Sequence, residues 1–196
     1  MTYGHAHVIP FQIDLSSLVG RSVASLYSHL VTRPTGRALR LGIESQIGEF
    51  GSSCLSVLDF TQVVVLDYSC ADEAVAKLVQ RYLAADRPAD VYFVACGLSE
   101  QHRDPIEAVL QRHRLALAAE VGDAGFVLLG EASTAERRAW SLLEEVRAAA
   151  PDDLAGRLGA DGGETLQLLD GLVSRRVVLR AARDRYLSLS SLLTSH

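Results

Sequence analysis

Lysine is nearly missing from this chain. Of its 19 basic side chains, 18 are arginine and one is Lys77. With the abundant alanine, that bias has the look of a GC-rich bacterial genome. Basic charge is also short overall, with a formal net charge of −5. Residues 1–133 hold 10 basic and 15 acidic side chains, and residues 134–196 hold nine of each. Neither part has the strongly basic balance of a typical nucleic-acid-binding domain. Cysteine is scarce too. Cys54, Cys70 and Cys96 are an odd number without CxxC spacing, which excludes a disulfide framework and a cysteine zinc motif. Each lies in or beside an apolar run and reads as a small buried residue. His5 and His7 can share one face of a strand, but two ligands do not make a zinc site.

Long apolar runs are absent as well. None reaches the roughly 18–20 residues that span a bilayer, so no membrane partner is expected. The opening MTYGHAHVIPF lacks a basic stretch followed by an apolar one, so no signal peptide is expected and the cytoplasm is the expected location. There is no GxGxxG, Walker A, HExxH or GxSxG pattern. No enzyme activity and no cofactor are therefore expected. Asp59, Asp67, Asp72 and Glu73 have the chemistry to attract a hard cation. Asp72 and Glu73 are adjacent on a helix, however, and are expected to point apart, so no metal site is expected either.

What the chain does have is hydrophobic patterning. Hydrophobic residues make up 48% and charged residues 22%, the balance of an ordinary globular protein. A length of 196 residues suffices for one large or two small domains. The clearest pattern covers residues 55–83. An apolar run ends at Asp59 and Phe60, and a β-branched run follows over 63–66. After the polar turn Asp67-Tyr68-Ser69 comes a helical stripe of Ala71, Val75, Leu78, Val79, Tyr82 and Leu83. Ser69 is expected at the N-cap with Asp72 at N3, a capping box. In α/β sheets the strand-to-helix end is where recognition usually sits.

The rest reads outward from this unit. A first strand is expected over residues 5–11, then a helix from Asp14 or Ser16 to about Leu30. Thr32-Arg33-Pro34 is a breaker, and Thr35 caps a helix from 36 to about 50. Residues 90–96, DVYFVAC, show no alternation and read as a central strand buried on both faces. Asp104, Pro105 at N1 and Glu107 at N3 open the next helix. Strands over 115–121 and 126–129 form a hairpin. Composition shifts after Gly130. Helices are expected over 134–150, 154–158 and 165–174, then strands over 177–180 and 185–189. Trp140, Leu143 and Val146 face inward.

The block DFTQVVVLDYSCADEAVAKL, residues 59–78, resembles the STAS and STAS-like domains of bacteria, the fold of anti-sigma-factor antagonists. Ser69-Cys70-Ala71-Asp72-Glu73 matches the Ser-Phe-Ala-Asp-Glu turn of the STAS-like variant at four of five positions. The likeness spans about residues 33–121. It implies an α/β domain over 1–131 with a mixed sheet and packed helices. It also implies a protein partner, a kinase or anti-sigma-type ATPase, at the turn of Asp67, Tyr68, Ser69, Asp72 and Glu73. In the antagonists the turn serine is phosphorylated by a partner kinase, which releases the partner, and Ser69 holds that position here. The glycine that often follows is Cys70 in this chain. The residues themselves leave two readings of Ser69 open. It is a helix cap worth about 1 kcal/mol, or a phosphoacceptor. A helix start favours a phosphate, whereas Asp67, Asp72 and Glu73 repel an added charge of about −1.5 to −2.

Residues 132–190 are similar to a winged helix-turn-helix domain, with 191–196 as a tail. PDDLAGRLGADGGETLQLLDGLVSRRVVLRAARDRYLSL gives a short helix, a turn, a second helix and a two-stranded wing. That likeness implies DNA binding as the alternative function. Thr165 and Gln167 are then the side chains suited to base edges. Arg175, Arg176, Arg180, Arg183 and Arg185 around the wing are suited to phosphates. Glu164 and Asp170 on the same helix would face a negative groove. Winged helices often dimerise, and the helix bearing Trp140 is the candidate surface for an oligomer.

Overall fold

The computed structural model describes residues 9–14, 29–50, 54–181 and 185–193. Along the chain, strands β1 (Ile9–Asp14) and β2 (His29–Leu30) precede helix α1 (Arg33–Phe50). Strands β3 (Cys54–Asp59) and β4 (Val65–Leu66) lead into helix α2. That helix runs from Tyr68–Ala71 through a π-helical turn, Asp72–Ala76, into Lys77–Leu83. Next come β5 (Val91–Leu98), α3 (Glu100–Arg112), β6 (Ala116–Val121) and β7 (Phe126–Gly130). The remainder is α4 (Thr134–Val146), β8 (Ala148–Ala149), α5 (Pro151–Leu158), α6 (Gly162–Ser174), β9 (Val178–Arg180) and β10 (Tyr186–Ser188).

The main sheet has the order β1-β3-β5-β6-β7. The first four strands are parallel, and β7 returns antiparallel to β6, with Glu120 opposite Phe126. It is therefore a mixed sheet in an α/β fold. β5 sits at its centre, and Val91 to Ala95 are buried without a break, as a strand covered on both faces must be. Period-two alternation sends its side chains to two cores. Val91, Phe93 and Ala95 join α1, α2 and α3 on one face. Tyr92 and Val94 join Leu55, Ala118 and Leu128 on the other, where Ala139, Trp140, Leu143 and Leu169 cover them. A second sheet, β8-β10-β9, completes that side.

Several helix ends differ from expectation, each for a local reason. The first strand occupies Ile9–Asp14, and the helix expected after it lies outside the described residues apart from its end. That end, Leu30, is in β2, where its carbonyl accepts from Asp67 N at 2.9 Å. α1 is capped by Thr32, not Thr35: Thr35 N donates to Thr32 Oγ1 at 3.3 Å. Pro34 is no obstacle there, because first-turn amides lack helical partners. α3 opens at Ser99, not Asp104, since His102 Nδ1 accepts from Ser99 N at 3.2 Å, and Pro105 lies inside the helix. α4 stops at Val146, which is exposed, because Arg147 adopts φ +69° and turns the chain into β8. α6 is capped by Asp161, whose carboxylate accepts from Glu164 N at 2.8 Å. Among the described residues no helix is long and apolar enough to cross a membrane.

Candidate functional site

The turn between β4 and α2 is held from both sides. Asp67 N bonds to Leu30 O, which fixes the extended conformation a helix cap needs (φ −93°, ψ 166°). Its Oδ1 then accepts from Cys70 N at 2.7 Å and from Ser69 Oγ at 2.9 Å. Asp67, not Ser69, is therefore the N-cap, and Asp72 falls two residues beyond N3. Aspartate caps as well as serine does, and the β2 contact selects the earlier residue. Ser69 sits half-buried in the first turn, with its hydroxyl proton directed at a carboxylate. Tyr68 beside it is 58% exposed.

Asp72 and Glu73 do not point apart as expected. They occupy the π-helical turn, whose i→i+5 bonding widens the helix. Both are buried, at 6% and 4% exposure. One nitrogen of Arg33, Nη1, lies 3.0 Å from Asp72 Oδ2 and 3.0 Å from Glu73 Oε1. His113 Nε2, just past the end of α3, lies 2.6 Å from Asp72 Oδ1. Lys77 Nζ donates to Glu73 Oε1, and Arg40 Nη2 approaches Glu73 Oε2 at 3.6 Å. Gly36 permits the arrangement. A Cβ there would meet Cys70 O at 2.7 Å and Glu73 Cβ at 2.9 Å, so only glycine lets α1 cross α2 this closely.

The electrostatics follow from that cage. Burial by itself works against ionisation of Asp72, but bonds from His113 and Arg33 hold its carboxyl below the ordinary range. Glu73 is likewise penalised by burial and more than compensated by Lys77 and Arg33. Cys70 is held as the thiol. Burial, with Asp67 and Glu73 nearby, pushes its thiol up to about 12. Among the described residues, Ser69 has no base in contact beyond the Asp67 carboxylate. Among the described residues no group of three or more histidine, cysteine or acidic side chains is arranged to hold a metal.

The surface around the turn is apolar. Val31, Val64, Val65 and Tyr68 are all exposed, and the β2–β4 pairing sets His29 opposite Val65 and Leu30 opposite Leu66. Elsewhere, a cavity of about 480 Å³ opens between α4, α5 and α6, lined by Glu136, Arg138, Leu158 and Glu164 among others. Its two carboxylates are engaged in capping Ser133 N and Asp161 N.

The residues proposed for DNA are dispersed. Thr165 is fully buried, so its hydroxyl does not reach the surface, while Gln167 is exposed on α6. Arg175 bonds Glu136 Oε1 at 3.2 Å and Glu131 O at 2.9 Å. Arg176 bonds Val91 O at 3.1 Å and Asp90 Oδ1, and lies over Tyr92. Arg180 reaches Asp170 at 3.4 Å, and Arg185 reaches Ala148 O at 3.2 Å. Arg183 lies outside the described residues.

Sequence reasoning missed Arg33, Gly36, Arg40 and His113. Arg33 read only as part of a helix breaker. Lys77, four residues after Glu73 and the only lysine, was the one local signal available. No known protein-family model matches this chain, and neither does any curated protein sequence.

Proposed function

We propose that this chain is a non-enzymatic bacterial regulator working in the cytoplasm. In this reading a STAS-like α/β unit binds a protein partner, a kinase or anti-sigma-type ATPase, through the turn at Ser69. The observation that carries it is the exposed apolar surface beside that turn. Tyr68 and Val64 are 58% and 57% exposed, and Val31 and Val65 adjoin them. Exposed apolar side chains gathered near one turn are the kind of surface that contact sites use, and an exposed tyrosine is a common anchor at interfaces.

Phosphorylation of Ser69 is the proposed control. A phosphoryl group on Oγ removes the proton now given to Asp67 and sets a dianion against that cap. The test begins with retention of partner proteins from the source cells, identified by mass spectrometry. Ser69→Ala is expected to keep the partner, Ser69→Asp to weaken retention, and Tyr68→Ala to weaken it at least tenfold. Equal retention by all three would sink the reading.

A second reading is supported by one observation. The order α4-β8-α5-α6-β9-β10, with the sheet β8-β10-β9, supports a winged-helix reading of residues 132–190. Such a unit would grip DNA through α6 and the wing, or support the α/β unit in protein contact. DNA binding predicts affinity that falls steeply with salt and is lost in Gln167→Ala and Arg185→Ala. Binding unchanged in both variants counts against it.

A further inference from the structure

The docking reading above leaves open how a phosphate on Ser69 is registered by the rest of the chain, and Arg33 supplies an answer. Its guanidinium reaches both buried carboxylates through Nη1 alone. Nε and Nη2 have no partner among the described residues, and the side chain is 52% exposed. Each carboxylate has a further basic partner besides Arg33. Asp72 keeps His113 at 2.6 Å, and Glu73 keeps Lys77 and Arg40. Arg33 is thus the outermost and most replaceable cation of the cage. Ser69 precedes Asp72 and Glu73 by three and four residues. On a helix that spacing places side chains on one face, with Cβ atoms about 5–6 Å apart. Arg33 bonds the two residues that lie three and four beyond Ser69, with donors to spare.

We infer that Arg33 is the internal receptor for a phosphoryl group on Ser69, leaving the Asp72–Glu73 pair to hold the phosphate through its planar fork. The modification itself forms a bond between Ser69 Oγ and the terminal phosphorus of a nucleoside triphosphate supplied with the partner kinase. The bond from that phosphorus to the nucleoside diphosphate breaks, and the hydroxyl proton passes to the kinase's base. Within this chain the consequence is an exchange of partners. Asp67 loses the Ser69 hydroxyl, the carboxylates lose one of their cations, and Arg33 turns outward. Arg33 is the first residue of α1 and lies two residues from Val31. Its movement therefore acts on the apolar surface where the partner docks.

The groups facing Ser69 make the sign of the test clear. Asp67, Asp72 and Glu73 raise the second ionisation of a phosphate placed there, whereas Arg33 in contact lowers it, with Lys77 and His113 occupied behind the carboxylates. The experiment uses the full chain with phosphoserine encoded at position 69, titrated by phosphorus NMR without any partner. The second pKa is expected below the roughly 6 of phosphoserine in the urea-unfolded chain. Arg33→Gln is expected to bring it above that value, and Arg37→Gln, exposed one turn along α1, to leave it as in the parent. A parent value at or above the unfolded one overturns the assignment, and so does an equal value in Arg33→Gln. Should that variant fail to fold, Arg33→Lys replaces it. Loss of the fork then leaves a smaller lowering, and an unchanged one overturns the assignment. Failure of the docking reading is separate, because it shows as undiminished partner retention by Tyr68→Ala whatever the phosphate's pKa.

Discussion

Two glycines on α1 have opposite expectations. At Gly36 an added methyl would lie 2.7 Å from Cys70 O and 2.9 Å from Cys70 Cα. Backbone atoms in a helix cannot yield by that much, so Gly36→Ala is expected to destabilise the fold by about 1–3 kcal/mol. At Gly48, exposed on the same helix, the methyl meets nothing within 4 Å. There the gain in helix propensity stabilises by about 0.5–1 kcal/mol. Urea midpoints of the two variants, shifted in opposite directions, check the pair. The buried carboxylates set the acid limit. Asp72 and Glu73 ionise below their ordinary values of 3.8 and 4.5 when folded. A depressed carboxyl stabilises the fold above its unfolded pKa and ceases to do so as pH falls through the folded one. Stability is therefore expected to hold above about pH 5 and to decline below it. Asp72→Asn removes one of the two contributions, so its unfolding free energy should fall less steeply between pH 5 and 3. An equal slope would mean that the cage does not set the acid limit.

At the scale of elements, Arg176 joins the two sides of the sheet. It follows α6 with φ +58° and reaches back to the start of β5. Nη1 bonds Val91 O at 3.1 Å, Nη2 bonds Asp90 Oδ1, and the guanidinium stands 4.9 Å from the centre of the Tyr92 ring. Charge-assisted bonds of this kind contribute on the order of 2 kcal/mol, so Arg176→Ala is expected to cost about that much. Hydrogen exchange should quicken at Val91 and Tyr92 and at the end of α6, leaving α1 unchanged. The sequence made Arg176 look like a phosphate ligand, because its partners lie 85 and 86 residues away. The elements themselves were more legible. β5 and the β6–β7 hairpin announce themselves by local hydrophobic runs and a glycine turn, and local pattern suffices for them. The π turn was not legible, since Asp72 to Ala76 fit an ordinary helical stripe. Its cause is tertiary. The cations that hold Asp72 and Glu73 together come from Arg33 and His113, about 40 residues to either side. Helix starts were misplaced for a related reason. Ser69 and Asp104 are sound caps in isolation, but Asp67 and Ser99 are selected by contacts with Leu30 and His102.

For the whole molecule, the decisive feature is that one sheet serves two cores. Among the described residues, the face carrying Leu55, Tyr92, Val94, Ala118 and Leu128 is covered by residues after 131, chiefly Ala139, Trp140, Leu143 and Leu169. The composition shift after Gly130 thus falls in a stretch whose two sides share buried surface. Burying side chains of this size contributes roughly 1.5–3 kcal/mol each. Separating the two parts would expose an apolar sheet face too large for a stable soluble unit. The chain is therefore expected to unfold in one cooperative transition. Trp140, the single tryptophan, is buried at that junction with its Nε1 bonded to Val177 O at 3.2 Å. Its fluorescence should change at the same urea concentration as the far-ultraviolet circular dichroism. A chain ended at residue 131 should lose the cooperative transition and bind a hydrophobic dye. Two separated transitions, or a stable 1–131 fragment, would show instead that the α/β unit closes its sheet without help. The surface at Ser69 would then answer to a partner independently of residues 132–196.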